Sequence, residues 1–315
     1  MLGYIIRRLF VAIIVIIGVA AITFAILHYL SPTPAYIVLG SKASKAAVAI
    51  WDRQHGYDRS EAAQFVSYLG NIVHGNFGFS YKNNQSVDSL FKEDGPISAY
   101  LSGAALLLSL IIAIPLGIVQ AVKRNSIGDY AATAINFTLY SMPSFFLGLI
   151  LIQIFALKLN LFPPGVSDSV TTIGAAITHP NQLFLPIITL TVLNVASYSR
   201  YMRSSALDEL AQDYIRLARA KGLSERVVLS RHMFRNASLS MITLVGLSIP
   251  YLVAGNLLIE YLFNINGLGL LFYNAVQNED YNVMLAYTLL GALLTVLGNL
   301  VADVSIAAAD PRVRL

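Results

Sequence analysis

Residues 200–235 read RYMRSSALDELAQDYIRLARAKGLSERVVLSRHMFR, a charge-rich run in a chain that carries few charges. The run holds eight basic and four acidic side chains. Ser205, followed by Asp208 and Glu209, predicts a helix start, because a hydroxyl caps free backbone N–H groups and acids suit the positive end of the helix dipole. Arg216, Arg219 and Lys221 crowd the last turns, where cations suit the negative end, and Gly222 is the residue expected just past the C-cap. A second helix restarts with Ser224 as N-cap and Glu225 in its first turn; Val227, Val228 and Met233 or Phe234 form its apolar face. The small Ala218 and Ala220 beside a glycine let another protein surface come close. The chemistry on offer is docking.

Other polar groups lie inside apolar stretches. Asn136, Ser141, Gln153, Thr189, Asn194, Ser248 and Asn256 must face protein or a water-filled path if those stretches lie in lipid. Helix–helix hydrogen bonding is the simpler use, worth about 0.6 kcal/mol on average in membranes. Glu260 and Asp303 are the ionisable side chains placed to act as proton or sodium carriers, as a secondary transporter would need. Both fall toward the ends of their stretches, so each is expected to pair with a neighbouring helix or helix end. His55 and His74 are 19 residues apart, without a surrounding carboxylate pattern, and read as structural. The sequence has no G-x-x-x-x-G-K-[ST], no H-E-x-x-H and no cysteine, which removes the commonest phosphate cradle, the commonest metalloprotease signature and all thiolate chemistry.

The elements that must carry these groups follow from composition. Of 315 residues 56% are hydrophobic and 12% charged, half the charge that a soluble domain of this size usually carries. Six apolar blocks stand out: Leu9 to Leu30, Tyr100 to Val122, Tyr130 to Leu157, Leu183 to Ser199, Ala237 to Phe263 and Met284 to Ala308. The first, 22 residues long, spans roughly 33 Å as a helix, enough for a hydrocarbon core of about 30 Å. It exceeds the apolar stretch of a signal peptide, and SPTPA is a poor cleavage site, so an uncleaved anchor is expected. Pro115 and Pro143 inside the second and third blocks predict kinks. Six spans place both termini on one face. That face, with the loop at Lys123–Asp129 and the 200–235 segment, collects 14 of the 21 basic residues, and the positive-inside rule makes it cytoplasmic. The opposite face carries a loop from about Ser31 to Pro96 with six basic and six acidic residues. Within it Ser60 predicts an N-cap for a helix reaching His74, with Phe65, Leu69, Ile72 and Val73 on one side and Gly75–Gly78 ending it. Spans flanking the 200–235 segment argue against a DNA-reading helix-turn-helix.

At these residues the sequence resembles the transmembrane subunits of bacterial ABC importers, whose inner loop carries E-A-A, three residues, then Gly. Here the window is Arg216-Leu217-Ala218-Arg219-Ala220-Lys221-Gly222; Ala218 and Gly222 match, while the Glu and first Ala are replaced. The stretch QDYIRLARAKGLSERVVLSRHMFRNA, with YLGNIVHGNFGFSY, NINGLG and DPRVR, is similar to the oligopeptide/dipeptide branch, and to its first permease subunit. The resemblance implies an all-α polytopic fold of six transmembrane helices, the type I ABC importer permease fold. Residues 1–96 would form the first span and extracytoplasmic loop, 97–309 the permease core with a coupling helix at about 205–235, and 310–315 a cytoplasmic tail. It implies that Asp213, Tyr214, Arg216, Ala218, Arg219, Ala220, Lys221 and Gly222 couple to an ATPase, and that Asn136, Ser141, Gln153, Asn194, Ser248 and Asn256 are candidates to line the path. The implied partners are a second, homologous permease chain, two cytoplasmic ABC ATPases, an extracytoplasmic peptide-binding protein or lipoprotein and membrane lipid, with no nucleic acid. ATP and magnesium would sit on the partners, and no cofactor or metal on this chain. The implied activity is import of short peptides by alternating access in a bacterial inner membrane.

Overall fold

A computed structural model of the chain describes residues 2–30, 33–40, 42–167 and 169–309. The DPRVR segment and the expected 310–315 tail lie outside the described residues. Helix α1 (Leu2–Leu30) leads into a cap made of α2 (Ala35–Leu39), α3 (Lys45–His55), α4 (Glu61–Val73) and a hairpin of β1 (Phe79–Ser80) with β2 (Gln85–Ser86). The strands are antiparallel, pairing Phe79 with Ser86 and Ser80 with Gln85. The cap packs around Trp51, which stacks on His55 and Tyr57 and meets Tyr81 edge-on. Helix α4 starts where expected: Ser60 Oγ accepts from the Ala63 N–H at 3.4 Å. Phe65, Leu69 and Ile72 are half-buried on it, but Val73 is 83% exposed, because it sits at the last helical position as the chain turns outward. Tyr68 takes the inward place instead, stacking on Phe24 of α1.

The long helices follow. They are α5 (Val87–Val122), α6 (Ile127–Ser141), α7 (Ser144–Leu151) continuing into a π-turn at Ile152–Lys158, α8 (Ile173–Thr178) and α9 (Pro180–Leu210). After α9 come α10 (Asp213–Ala220), α11 (Glu225–Val227) with a π-turn at Val228–Met233, and α12 (Phe234–Ala254). The chain closes with α13 (Leu257–Phe263), α14 (Leu268–Gln277) and α15 (Tyr281–Ala309). Five helices among the described residues are long and apolar enough to cross a membrane, and α6 with α7 makes a sixth if that bent pair counts as one span.

Four block boundaries differ from expectation. The third block is broken by 106° between α6 and α7, more than a kink. Met142 stands before Pro143 and adopts the extended ψ of 130° that a following proline ring enforces. The fifth block ends at Ala254, where Gly255 takes φ +78° and a new helix starts after Asn256. The fourth continues from Pro180 to Leu210, so Ser205 lies inside α9 and caps nothing. No Gly or Pro interrupts residues 187–210, and Met202 and Ala206, fully buried on a neighbouring face, carry the helix through. Helix α5 likewise begins thirteen residues before Tyr100 and crosses residues 96 and 97 without a break despite Pro96, held by the burial of Val87, Leu90 and Ile97 along it.

Two close helix pairs organise the bundle. A Cβ on Gly117 of α5 would lie 2.7 Å from both Met202 Cβ and the Ser199 carbonyl of α9. Gly246 of α12 meets Ala302 of α15 in the same way. Small residues let backbones approach where no hydrophobic effect drives helices together. Arg8 at one end of α1 pairs with Asp303 of α15 at 2.5 Å, so Asp303 binds a neighbouring helix as expected. At the cap end, Ser80 hydrogen-bonds Asp280 and Asn282 Nδ2 donates to the Phe79 carbonyl at 2.8 Å, which ties the hairpin to the start of α15.

Candidate functional site

The first site is the segment after α9. The break falls at Ala211 and Gln212; Gln212, extended at ψ 148°, stands as N-cap of α10 with no side-chain cap bond. Asp213 opens α10 and pairs with Arg216 at 3.2 Å. Ile215 and Ala218 turn inward and are fully buried with Met202, Ala206, Val228 and Met233. That burial plants α10 on the end of α9 and on the π-turn at Val228–Met233 that leads into α12. Lys221 is the C-cap and Gly222 follows at φ +76°, the left-handed geometry expected from the sequence. Arg219 then reaches across the turn to Glu225 with two bonds of 2.7 and 3.2 Å. Val228 and Met233 are the buried face of the next helix, and Val227 is exposed. Tyr214 bonds Glu209 and accepts from Asn236 Nδ2 at 2.8 Å; burial and the nearby carboxylate push its phenol pKa up. Outward, α10 presents Tyr214, Arg216, Leu217, Ala220 and Lys221, with Leu223 beyond the turn. Leu217 is 56% exposed. Sequence reasoning passed over Leu217 and Leu223, although a leucine three residues from Tyr214, off the Ile215–Ala218 face, is a periodicity signal.

The second site is a cleft of about 190 Å3 between α5, α9 and α12. Three of the predicted polar residues meet there: Asn194, Ser248 and Asn256. Tyr198 and Ser102, not singled out from sequence, join them. The Tyr198 hydroxyl lies 2.6 Å from Ser248 Oγ, and Asn256 Nδ2 donates to Ser102 Oγ at 3.2 Å. The other three lie elsewhere. Asn136 is buried and donates to Ser199 Oγ at 2.9 Å, pinning α6 to α9. Ser141 donates to its own helix at the Phe137 carbonyl, and Gln153 is exposed on the π-turn. Thr189 is buried and bonds the Leu185 carbonyl.

Glu260 holds the cleft's end in place. Its carboxylate accepts from the N–H groups of Asn256 (3.2 Å), Gly269 (2.7 Å) and Leu270 (3.2 Å) and from Ser98 Oγ (2.8 Å). It thus joins the break after α12, the start of α14 and the side of α5. Side chains on Gly255, Gly267 or Gly269 would collide with this carboxylate. The expected pairing with a helix end is what the residue does. A second tie, Arg203 to Asp129 through two bonds of 2.8 Å, fastens α9 to the first turn of α6; nothing in the spacing of 74 residues signalled it.

These features define a class: a helical membrane protein with a short, partly exposed helix set on the end of the bundle and a polar cleft between its long helices. The chain belongs to the family described as binding-protein-dependent transport system inner membrane component, whose model matches residues 113–315; the model of that family's N-terminal region matches residues 1–102. It is similar to the oligopeptide transport system permease protein AppB of Bacillus subtilis (strain 168), at 36% identity over 314 residues and 99% of each chain. It is also similar to the glutathione transport system permease protein GsiC of Escherichia coli (strain K12), at 34% identity over 314 residues, covering 100% of this chain and 99% of the relative. The protein is therefore a multi-pass inner-membrane permease with the type I ABC importer fold. It is a transport subunit and not an enzyme; ATP hydrolysis and substrate capture belong to the ATPase and binding components of the same system.

Proposed function

We propose that this permease moves short peptides into the cell by alternating access, with both termini cytoplasmic. It pairs with a second, homologous permease chain; two ABC ATPases, carrying ATP and magnesium, dock on α10; and a peptide-binding protein or lipoprotein delivers substrate from outside. The observation that carries the reading is α10 itself. Its inner face, Ile215 and Ala218, is buried among α9 and α12 residues while Tyr214, Leu217 and Leu223 remain partly exposed among Arg216 and Lys221. A push on that face is passed to two spans that line the cleft. Arg216 stands where the general motif has Glu, and it is paired within α10 to Asp213, so Tyr214, Leu217, Ala220 and Lys221 are the contacts assigned to the ATPase. The relatives named for oligopeptide and glutathione transport support a peptidic cargo, and Asn194, Ser248, Asn256 and Tyr198 offer hydrogen bonds that a peptide backbone can exchange.

The test is Gly222→Val in the assembled complex. A β-branched residue at φ +76° costs roughly 1–2 kcal/mol or more, and open space around Gly222 means that the effect is conformational and local. Peptide-stimulated ATP hydrolysis should fall about tenfold or more for such a cost, with insertion of the permease unchanged. Full transport by this variant would remove α10 as the coupling element.

A further inference from the structure

A second cleft, of about 330 Å3, opens at the cap end of the bundle. Its floor is the last turns of α1, with Phe24, Leu27 and His28, and the first turns of α15, with Tyr281, Asn282 and Leu285; its walls are α3, α4, the turn between them and the turn at residues 76–78. The stretches long and apolar enough to cross a membrane run over Ile6–Tyr29 and Tyr281–Ala308, and the cleft sits at the end of the first and the start of the second. In a bilayer crossed by both stretches, their ends meet the lipid headgroups.

Its charge is one-sided. Arg53 and Arg59 line it, and among the described residues no Asp or Glu does. Neither arginine forms an ion pair with any described carboxylate. Of the acids close to them in sequence, Glu61 lies 3.7 Å from His28, Asp52 accepts from Thr33, and Asp58, next to Arg59 in the chain, does not line the cleft. Tyr68 lines the same cleft, and its hydroxyl, shielded from water, has no hydrogen-bond partner among the described residues. Burial pushes that phenol up, so it remains a donor. Two guanidiniums without a described ion-pair partner, donors in a planar fork, stand over a floor where the apolar Phe24, Leu27 and Leu285 lie beside polar His28 and Asn282, at the ends of two spans. An anion tethered to a greasy tail satisfies both.

We propose that this cleft holds the phosphate of a membrane phospholipid, with Arg53 and Arg59 on the headgroup and the acyl chains running down beside Phe24 and Leu285. The site shares no lining residue with the polar cleft between α5, α9 and α12, so the bound lipid is a fixture of the cap and not cargo. Basic pockets between spans that take acidic headgroups follow the same physics.

The test uses the whole transporter complex, purified and delipidated, then incubated with phosphatidylglycerol and read by native mass spectrometry. The wild-type complex should retain the lipid, and Arg53→Gln/Arg59→Gln should retain it about tenfold less or worse, as expected for two lost cation contacts. Arg53→Lys/Arg59→Lys, which keeps both charges, and Lys45→Gln, which removes a cation of α3 outside the cleft, should hold it nearly as well as wild type. Equal retention by the Gln double variant overturns the proposal. So does displacement of the lipid by millimolar inorganic phosphate, which would make the cleft a site for a free anion. Retention that fails equally in Lys45→Gln would also overturn it, because the loss would then come from the cap's overall charge.

Discussion

Glu260 sits in an apolar stretch, and three backbone N–H groups and a serine hydroxyl converge on its carboxylate. A carboxylate accepts at both oxygens; an amide in the same place accepts at one and aims an NH2 at the N–H groups of Gly269 and Leu270. Glu260→Gln is therefore expected to cost about 1–3 kcal/mol for buried donors left unpaired. A thermal unfolding curve of the detergent-solubilised protein should move down by several degrees, and an unchanged midpoint would show that the carboxylate bears no such load. At this scale the sequence was most readable where one residue's own geometry decides the outcome. Gly222 could be placed past a C-cap because positive φ is a local demand, and Ser60 could be placed as an N-cap because its acceptor serves the next turn. Tyr198 and Ser102 could not be found that way. Their meeting with Ser248 and Asn256 depends on the register of α5, α9 and α12, which no local pattern contains.

Helices were legible as apolar blocks, and their ends were not. Ser205 followed by acids has every local mark of a start, yet α9 continues through it because Met202 and Ala206 are buried against neighbouring spans, and burial outweighs a cap worth about 1 kcal/mol. The split of the fifth block at Gly255 has the opposite cause: Glu260 needs N–H groups from two helix starts, and an unbroken helix would have only its own. The α5–α9 pairing rests on close approach at Gly117, where an added side chain meets the Ser199 carbonyl and the Arg203 N–H, backbone atoms that cannot move aside. Gly103, on the same helix, has open space around it. Gly117→Leu should therefore cost about 1–3 kcal/mol or more by overpacking, read as lost yield of folded protein in the membrane, while Gly103→Leu is expected to be neutral. Equal yields would mean that the two helices do not need their close contact.

For the molecule as a whole, both its direction in the membrane and its cargo can be tested. The chain has no cysteine, so single introduced ones report cleanly. A cysteine replacing Lys82 in the cap should react with an impermeant reagent outside intact cells, and one replacing Arg219 on α10 should not; labelling of the Arg219 position from outside would invert the orientation proposed from the distribution of cations. The proposed cargo follows from what lines the cleft proposed as the path. A route for a bare transition metal would gain from imidazole or thioether ligands. The histidines lie otherwise: His28 faces Glu61 and stacks on Phe24, His55 stacks on Trp51, and His74 bonds the Gly70 carbonyl. The cleft between α5, α9 and α12 presents Ser102, Asn194, Tyr198, Ser248 and Asn256 instead. Such neutral donors and acceptors bind each peptide group at about the strength of water, so a peptide can pass from one to the next without being held. The measurement is uptake in cells that lack other peptide importers, with the complete transport system restored. Labelled oligopeptide should accumulate in an ATP-dependent manner and be competed by unlabelled peptides. Nickel uptake without peptide uptake, through the same binding component, would overturn the cargo while leaving the fold and the docking helix in place.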